Sequence, residues 1–491
     1  MQYKWVVLSN TTVGTLMASL DGNIVLIALP TIAKELPGTS VFILLWILLG
    51  YALLTSVVLL NFGRLGDMYG RVRLYTLGFA IFTVGSALCG LSQTGTELVL
   101  FRLVQAVGAA FLFANAAAII TDAFPPDERG RALGINQVSI VAGAVTGLVL
   151  GGILTSLLGW RSIFYVNVPI GIFATWRAYT GLRELHRPQV EHTVDWAGNL
   201  SFAAGLAAIL LAITLYALGQ LGDAGFVALL VLGAALVVLF VWIELRVKYP
   251  MFDLSLLRIR MFLASIAAIF LNALARGAFS FVMVFYLQGP PHYLSPLNAG
   301  LYLVPVSASL AAIGPISGSL SDRYGSRPFA VLGLLVSAAG FLWLTTIGPT
   351  TGFLQLLGPF VLVGFGMGLF ASPNRASMMN SVPAARRGVA SGIGTTLVNS
   401  GTTLSLGLAI VAMAKALPLG SLTSIFLGAP PARIGPGAVL HFIDATHGVF
   451  ALSAALLLIA LIPAGLRGKE TRDVRPEPRT AGAGSASDPP T

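Results

Sequence analysis

Asp21, Arg102 and Arg276 are the residues best placed to do chemistry, because each is a charge set inside a long apolar run. Asp21 comes 16 residues after Trp5, roughly 24 Å along a helix of about 43 Å. A charge at that depth in a bilayer costs at least about 2.5–3.5 kcal/mol, so it must face a partner or a water-filled cavity. Desolvation raises a carboxylate's proton affinity and a nearby guanidinium lowers it, which makes Asp21 a candidate for taking up and releasing protons. The competing reading is a structural Asp bonded to a neighbouring helix. Arg276 lies too deep to snorkel easily. It pairs with Asp21, binds an anionic ligand, or is structural, held by carbonyls or by Asn272. Arg102 stands about five residues, roughly 7.5 Å, inside its run, close enough to the end to snorkel outward. Gln105 shares its helix face one turn on.

What must position these groups follows from composition. The 491 residues are 56% hydrophobic and only 10% charged, with a mean hydropathy of +0.86, which describes a chain as apolar outside as inside. The class is an all-α, polytopic membrane protein. Fourteen apolar spans lie between residues 5 and 466, among them 5–33, 97–121, 161–181, 196–220, 223–246 and 261–288. Each is long enough to cross as a helix, and the alternating pattern of a membrane barrel is absent. The first span is too long for a signal-peptide core and is expected to remain in place.

Function classes drop out on the same grounds. Cys89 is the single cysteine and the five His show no metal spacing, so neither a disulfide framework nor a metal site is expected. No GxxxxGK[ST] stretch occurs, so nucleotide drive is not expected. The chain reads as a non-enzyme without cofactor. The net charge of +10 belongs to loops rather than to a nucleic-acid surface. Of 29 Lys and Arg, Lys34, Arg161, Lys415 and Arg433 fall on one side, Arg102 and Arg276 inside spans, and the rest opposite. That bias places both termini in the cytoplasm. The segment 416–446 is apolar enough to lie on the membrane surface or cap the protein.

One charged loop is spelled twice. "GRLGDMYGR" at 63–71 and "GSLSDRYGS" at 318–326 share Gly63/Gly318, Leu65/Leu320, Asp67/Asp322, Tyr69/Tyr324 and Gly70/Gly325, an offset of 255 residues. A second pair, "PPDERGRALG" from 125 and "PAARRGVASG" from 383, repeats at an offset of 258. The chain is therefore read as a six-helix bundle in 1–181, a linker with two extra membrane helices in 182–260, a second six-helix bundle in 261–466 and a disordered cytoplasmic tail in 467–491. Subtracting 255 from 276 gives 21. Asp21 and Arg276 thus hold equivalent positions, which predicts an acid and a base facing one central cavity from opposite halves.

Five stretches carry a resemblance: "SLDGNIVLIALP", "GRLGDMYGR", "FRLVQAVGAA", "GLVLGG" and "GWRSIFYVNVPIG". Over nearly its whole length the chain resembles the major facilitator superfamily in its fourteen-helix drug:proton antiporter branch. Two positions depart: Leu148 stands where the helix-5 motif usually has Pro, and Ala106 where the helix-4 motif usually has Gly. The resemblance implies the major facilitator fold, in a multi-pass plasma-membrane protein acting as a monomer. It implies proton-coupled export of amphipathic small molecules by alternating access, with protons and the lipid bilayer as its other partners. Asp21 and Arg102 then carry proton coupling. Apart from the resemblance, depth and the shared offset lead us to expect Asp21, Arg276, Gln105, Asn272, Tyr51 and Phe279 to line the substrate cavity, although aromatics that pack helices are commoner than ones that stack on a substrate. Gly63, Asp67, Gly70, Arg71, Asp122 and Asp322 latch the inner gate, and Gly147, Gly151 and Gly152 form the helix-5 motif. Arg71 is expected to reach Asp122 at the end of the fourth helix. Organic anions or lipid-like metabolites are the alternative cargo, and a non-transporting sensor or scaffold is the alternative of another class.

Overall fold

The computed structural model describes residues 2–125, 128–185, 195–247, 250, 252–383, 386–429 and 434–467, and every regular element among them is helical. Hydrocarbon offers no partner to a backbone N–H or C=O, and a helix satisfies both internally. The chain begins with α1 (Tyr3–Glu35), α2 (Val41–Tyr69), α3 (Arg71–Leu91), α4 (Gly95–Ala123), α5 (Arg129–Leu158), α6 (Ser162–Tyr165) and α7 (Asn167–Gly181). A hairpin of α8 (Trp196–Ala217) and α9 (Asp223–Glu244) follows. Then come α10 (Arg260–Arg276), α11 (Phe279–Gln288), α12 (Pro296–Tyr324), α13 (Ser326–Leu344), α14 (Phe353–Asn380), α15 (Arg387–Ala416), α16 (Leu419–Phe426) and α17 (Pro436–Gly465). Ser40 and Thr94 start α2 and α4 by accepting from the N–H groups of Ile43 and Glu97, which satisfies amides that have no partner within the helix.

Among the described residues, 13 stretches are long and apolar enough to cross a membrane, against the fourteen expected. The difference lies in the span expected at 161–181. Its backbone ladder breaks at Val166, leaving α7 with 15 residues, about 22 Å of helix. Val166 keeps helical dihedrals, so the pieces continue one another without forming one uninterrupted helix. Pro169 falls in the first turn of α7, where its missing N–H leaves no helix bond unmade. The span expected at 261–288 is also divided, at Gly277 and Ala278, so that Arg276 ends a helix instead of sitting within one. The tail expected to be disordered lies, from 468 onward, outside the described residues.

In the first half α1 packs on α5 and α4, and α2 and α3 pack on α4. In the second, α12 and α13 pack on α14 while α10 packs on α15 and α17. Across the middle α5 meets α12 and α2 meets α15. The fifth helix of each half thus touches the second of the other, the pattern a two-fold relation produces. The hairpin reaches both halves through α8, which packs on α2 and α15. Within the segment 416–446, α16 folds inward, burying Leu422, Ile425 and Phe426, and Phe426 lies against Phe281 and Phe285 of α11. It caps the end of the molecule away from the termini, here the far end.

Close helix approach explains the glycines of α5. A Cβ at Gly147 would come within 2.7 Å of the Leu20 carbonyl oxygen on α1, and one at Gly152 within 2.7 Å of Leu297 Cα and the Pro296 oxygen on α12. One face of α5 therefore seats α1 and another seats the second half. Gln288 Nε2 donates to the Ile27 oxygen at 2.8 Å, a further link between halves toward the far end.

Candidate functional site

Five helices meet at Asp21, whose side chain is fully buried. From α4, Arg102 Nη1 donates to Asp21 Oδ2 and to Gln105 Oε1 at 2.7 Å. Gln105 Nε2 donates to Asp21 Oδ1 at 2.8 Å, and Asn167 Nδ2 of α7 donates to the same oxygen at 3.2 Å. Ser86 Oγ of α3 accepts from both amides, at 3.2 Å from Gln105 and 3.3 Å from Asn167. On α2, the Ile47 oxygen accepts from Arg102 Nε at 3.4 Å, and the Tyr51 ring lies 4.0 Å from the guanidinium carbon. The cluster is an ion pair in apolar surroundings, oriented by neutral amides. Two polar atoms in it, Arg102 Nη2 and the Tyr51 hydroxyl, are buried without a hydrogen-bond partner.

Asp21, Arg102, Gln105 and Tyr51 are thus gathered in one place, and Ser86 and Asn167 join them without having been singled out from the sequence. The signal for Asn167 was available: it is the polar residue at the centre of "FYVNVPI". The pairing of Asp21 with Arg276 is not formed. Arg102 fills that place, because the face of α4 turned toward α1 carries it, whereas the Nε of Arg276 donates to Asn272 Oδ1 on its own helix at 3.1 Å. Snorkelling of Arg102 is likewise not seen, since the pair holds it inward. Phe279 is buried against Phe341, Phe360 and Phe450.

A second constellation sits at the terminus-bearing end. Gly70 (φ 107°) breaks the chain between α2 and α3 in a conformation L side chains rarely adopt. Arg71, opening α3, donates through Nε to Asp67 Oδ1 at 2.7 Å and through Nη1 to both Asp122 oxygens at 2.8 Å. Glu184, missed in the sequence, accepts from the N–H groups of Arg71 and Val72 at 3.2 and 2.9 Å, at the positive end of α3. Next to it, Arg183 exchanges hydrogen bonds with the Tyr3 hydroxyl. These groups are partly exposed, Arg71 at 17%, Asp122 at 23% and Asp67 at 42%, so water still screens the pairs and each contributes on the order of 1 kcal/mol. Gly63 lies on the face of α2 that meets α4, 4.0 Å from the Ala114 oxygen if given a Cβ. Asp322, the repeat of Asp67, is exposed and enters no ion pair among the described residues.

One more cation escaped the sequence reading. Arg375, grouped there with loop charges, lies within α14 and donates to Gln137 of α5 at 3.1 Å, joining the halves toward the terminus-bearing end.

Comparison with known proteins matches this architecture. The family model of the Major Facilitator Superfamily covers residues 11–406. The riboflavin transporter RibZ of Clostridioides difficile (strain 630) is 35% identical over 403 residues, 79% of this chain and 83% of that protein. The multidrug resistance protein Stp of Mycobacterium tuberculosis (strain CDC 1551 / Oshkosh) is 34% identical over 386 residues, 78% of this chain and 71% of that one. A crystal structure of an auto-inhibited peptide transporter of the POT family superposes with a TM-score of 0.67 at 17% identity, over 97% of this chain and 99% of that one, a likeness of fold alone. Helical architecture, repeated loop and matched family model agree: this multi-pass membrane protein belongs to the Major Facilitator Superfamily.

Proposed function

We propose that the chain is a proton-driven exporter of amphipathic small molecules that works by alternating access, its six-helix halves rocking about the site with the α8–α9 hairpin between them. The observation that carries this reading is the buried Asp21–Arg102 pair. A carboxylate that takes up a proton in this site no longer neutralises the guanidinium beside it, and an unpaired buried charge is strongly unfavourable. Proton binding therefore pushes the surrounding helices to rearrange, and proton release restores the pair. The energy is adequate without nucleotide: an elementary charge crossing a membrane releases about 2.3 kcal/mol per 100 mV. The Arg71, Asp67 and Asp122 network ties α2, α3 and α4 together within the first half at the terminus-bearing end, weakly enough to be remodelled in every cycle. Likeness to a multidrug resistance protein supports the cargo class.

The test is reconstitution of the full chain in proteoliposomes with a pH dye. Ethidium, N-phenyl-1-naphthylamine and 8-anilino-1-naphthalenesulfonate are offered as cationic, neutral and anionic cargo. Extrusion of at least one, with proton movement in the opposite direction, is expected. Movement of none, or movement indifferent to an imposed pH gradient, overturns the reading. Likeness to a riboflavin transporter favours a second cargo, a flat heteroaromatic molecule, and riboflavin belongs in the same panel.

A further inference from the structure

Arg276 is a deep cation without a counter-charge among the described residues, where the five ion pairs involve Lys4, Arg71, Arg102 and Arg386. Its one hydrogen bond among the described residues, from Nε to Asn272 Oδ1, leaves the two terminal nitrogens without a partner there, and they are not sealed in as Arg102 Nη2 is. The side chain is half-buried. Asn272, one turn earlier, is only 5% exposed, and its Nδ2 is buried without an acceptor. Accepting from Arg276 fixes the Asn272 oxygen and directs the amide nitrogen elsewhere. Two neighbouring side chains thus present hydrogen-bond donors that the protein does not satisfy.

The local backbone adds to this. At Gly277 the helix is pressed so close to α15 that a Cβ would stand 2.6 Å from Thr402 Cα, and the Ala278 N–H is taken by Ser405 Oγ at 2.9 Å. The ladder breaks there and α11 begins, its positive end following directly on Arg276. One turn on, Phe279 closes an aromatic cluster with Phe341, Phe360 and Phe450. The first half offers no comparable site, because its Arg102 is already neutralised by Asp21.

We infer that Arg276 and Asn272 form the head-group site for the cargo, which is an amphipathic molecule with an aromatic or otherwise apolar body and one anionic group: sulfonate, carboxylate or phosphate. A guanidinium binds such groups through two parallel N–H donors, and Asn272, by accepting from Nε, holds that fork in place. The assignment of this ligand as cargo rests on the export reading above; the binding site does not.

Binding and transport are therefore measured separately. The purified full chain in phosphatidylcholine nanodiscs is titrated calorimetrically with 8-anilino-1-naphthalenesulfonate and with N-phenyl-1-naphthylamine, which differ by the sulfonate. Arg276→Gln is expected to weaken the sulfonate about tenfold, the worth of one charge-assisted contact, and the neutral amine less than twofold. Arg276→Lys, which keeps the charge and loses the fork, and Asn272→Ala should each cost the sulfonate about threefold. These two variants carry the test if Arg276→Gln elutes aggregated. Sulfonate binding unchanged in the variants, or both probes weakened alike, overturns the site. Dihexanoyl phosphatidylglycerol that displaces the sulfonate at lower concentration than the free sulfonate itself does would make this a lipid head-group site and overturn the cargo assignment. Arg276-dependent binding with no proton-coupled movement of either probe leaves the site standing and removes the export reading.

Discussion

Arg102 on α4 and Asp21 on α1 form an ion pair across 81 residues of sequence with neither side chain reaching solvent. A buried pair of this kind adds little net stability over well-packed apolar residues, while breaking it from one side is costly. That asymmetry fits a switch better than a strut.

Asp21→Asn keeps the volume of the cluster and one oxygen for Gln105 and Asn167, but it cannot titrate, and its NH2 faces Arg102 and leaves that guanidinium unpaired. Insertion should be normal and substrate-dependent proton release should fall to background in proteoliposomes. Undiminished release would remove Asp21 from the coupling.

Arg102→Leu leaves the carboxylate unpaired and should destabilise the protein by about 3–5 kcal/mol. Adding Asp21→Asn should recover most of that loss, a strongly non-additive cycle. By contrast, Asp21→Asn and Arg276→Gln share no hydrogen-bond partner and should add within about 0.5 kcal/mol. Denaturant unfolding in detergent measures all three, and coupling in the second cycle equal to the first would revive a direct Asp21–Arg276 relationship.

Glu184→Gln weakens the hold on the first amides of α3, and Asp67→Asn removes one charge from Arg71. Each should raise hydrogen exchange over residues 70–74 about fivefold, equivalent to roughly 1 kcal/mol for an exposed charge contact. Asp322→Asn, at the unpaired repeat, should change exchange over 325–329 by less than twofold. Equal effects at the two loops would refute the asymmetry.

Gly152→Val tests closure at the far end. Its Cβ meets backbone atoms of Leu297 and Pro296, which cannot swing aside as a side chain can. A cysteine pair at Ser156 and Leu297, whose Oγ and backbone nitrogen lie 3.4 Å apart, reports the approach. Disulfide formation should slow at least about tenfold in the Val variant, the effect of about 1.4 kcal/mol of overpacking. An unaltered rate would mean that α5 and α12 separate at no cost.

His292, between α11 and α12, has its proton affinity lowered by burial, and its ring packs edge-on against Tyr286 at 4.9 Å. A histidine with a depressed folded-state pKa contributes stability above its ordinary value near 6.5 and loses it as pH falls toward the folded pKa. Thermal unfolding between pH 7.5 and 5.5 should therefore show a decline that His292→Gln flattens. A steeper decline in the Gln variant would reverse the sign.

What the sequence determined by itself follows from properties that are local or that add along the chain. Transfer into hydrocarbon sums residue by residue, so the apolar runs, the place of Asp21 in mid-helix and the helical class were legible in order. The repeated "GRLGDMYGR" and "GSLSDRYGS" loops are likewise local text. The breaks at Val166 and Gly277 were not legible. The first lies just ahead of Pro169, which has no N–H to give the Tyr165 carbonyl, and the other depends on the backbone of α15 pressing against α10. Above all, the partner of Asp21 was decided by tertiary structure. The shared offset made Arg276 equivalent in sequence, but an ion pair needs two side chains on facing helix surfaces. Which surfaces face is set by the rotation of each helix about its own axis. Non-local packing fixes that rotation, through the seating of Gly147 on Leu20 and the convergence of α1, α3, α4 and α7, and it delivered Arg102 to Asp21 while leaving Arg276 to Asn272.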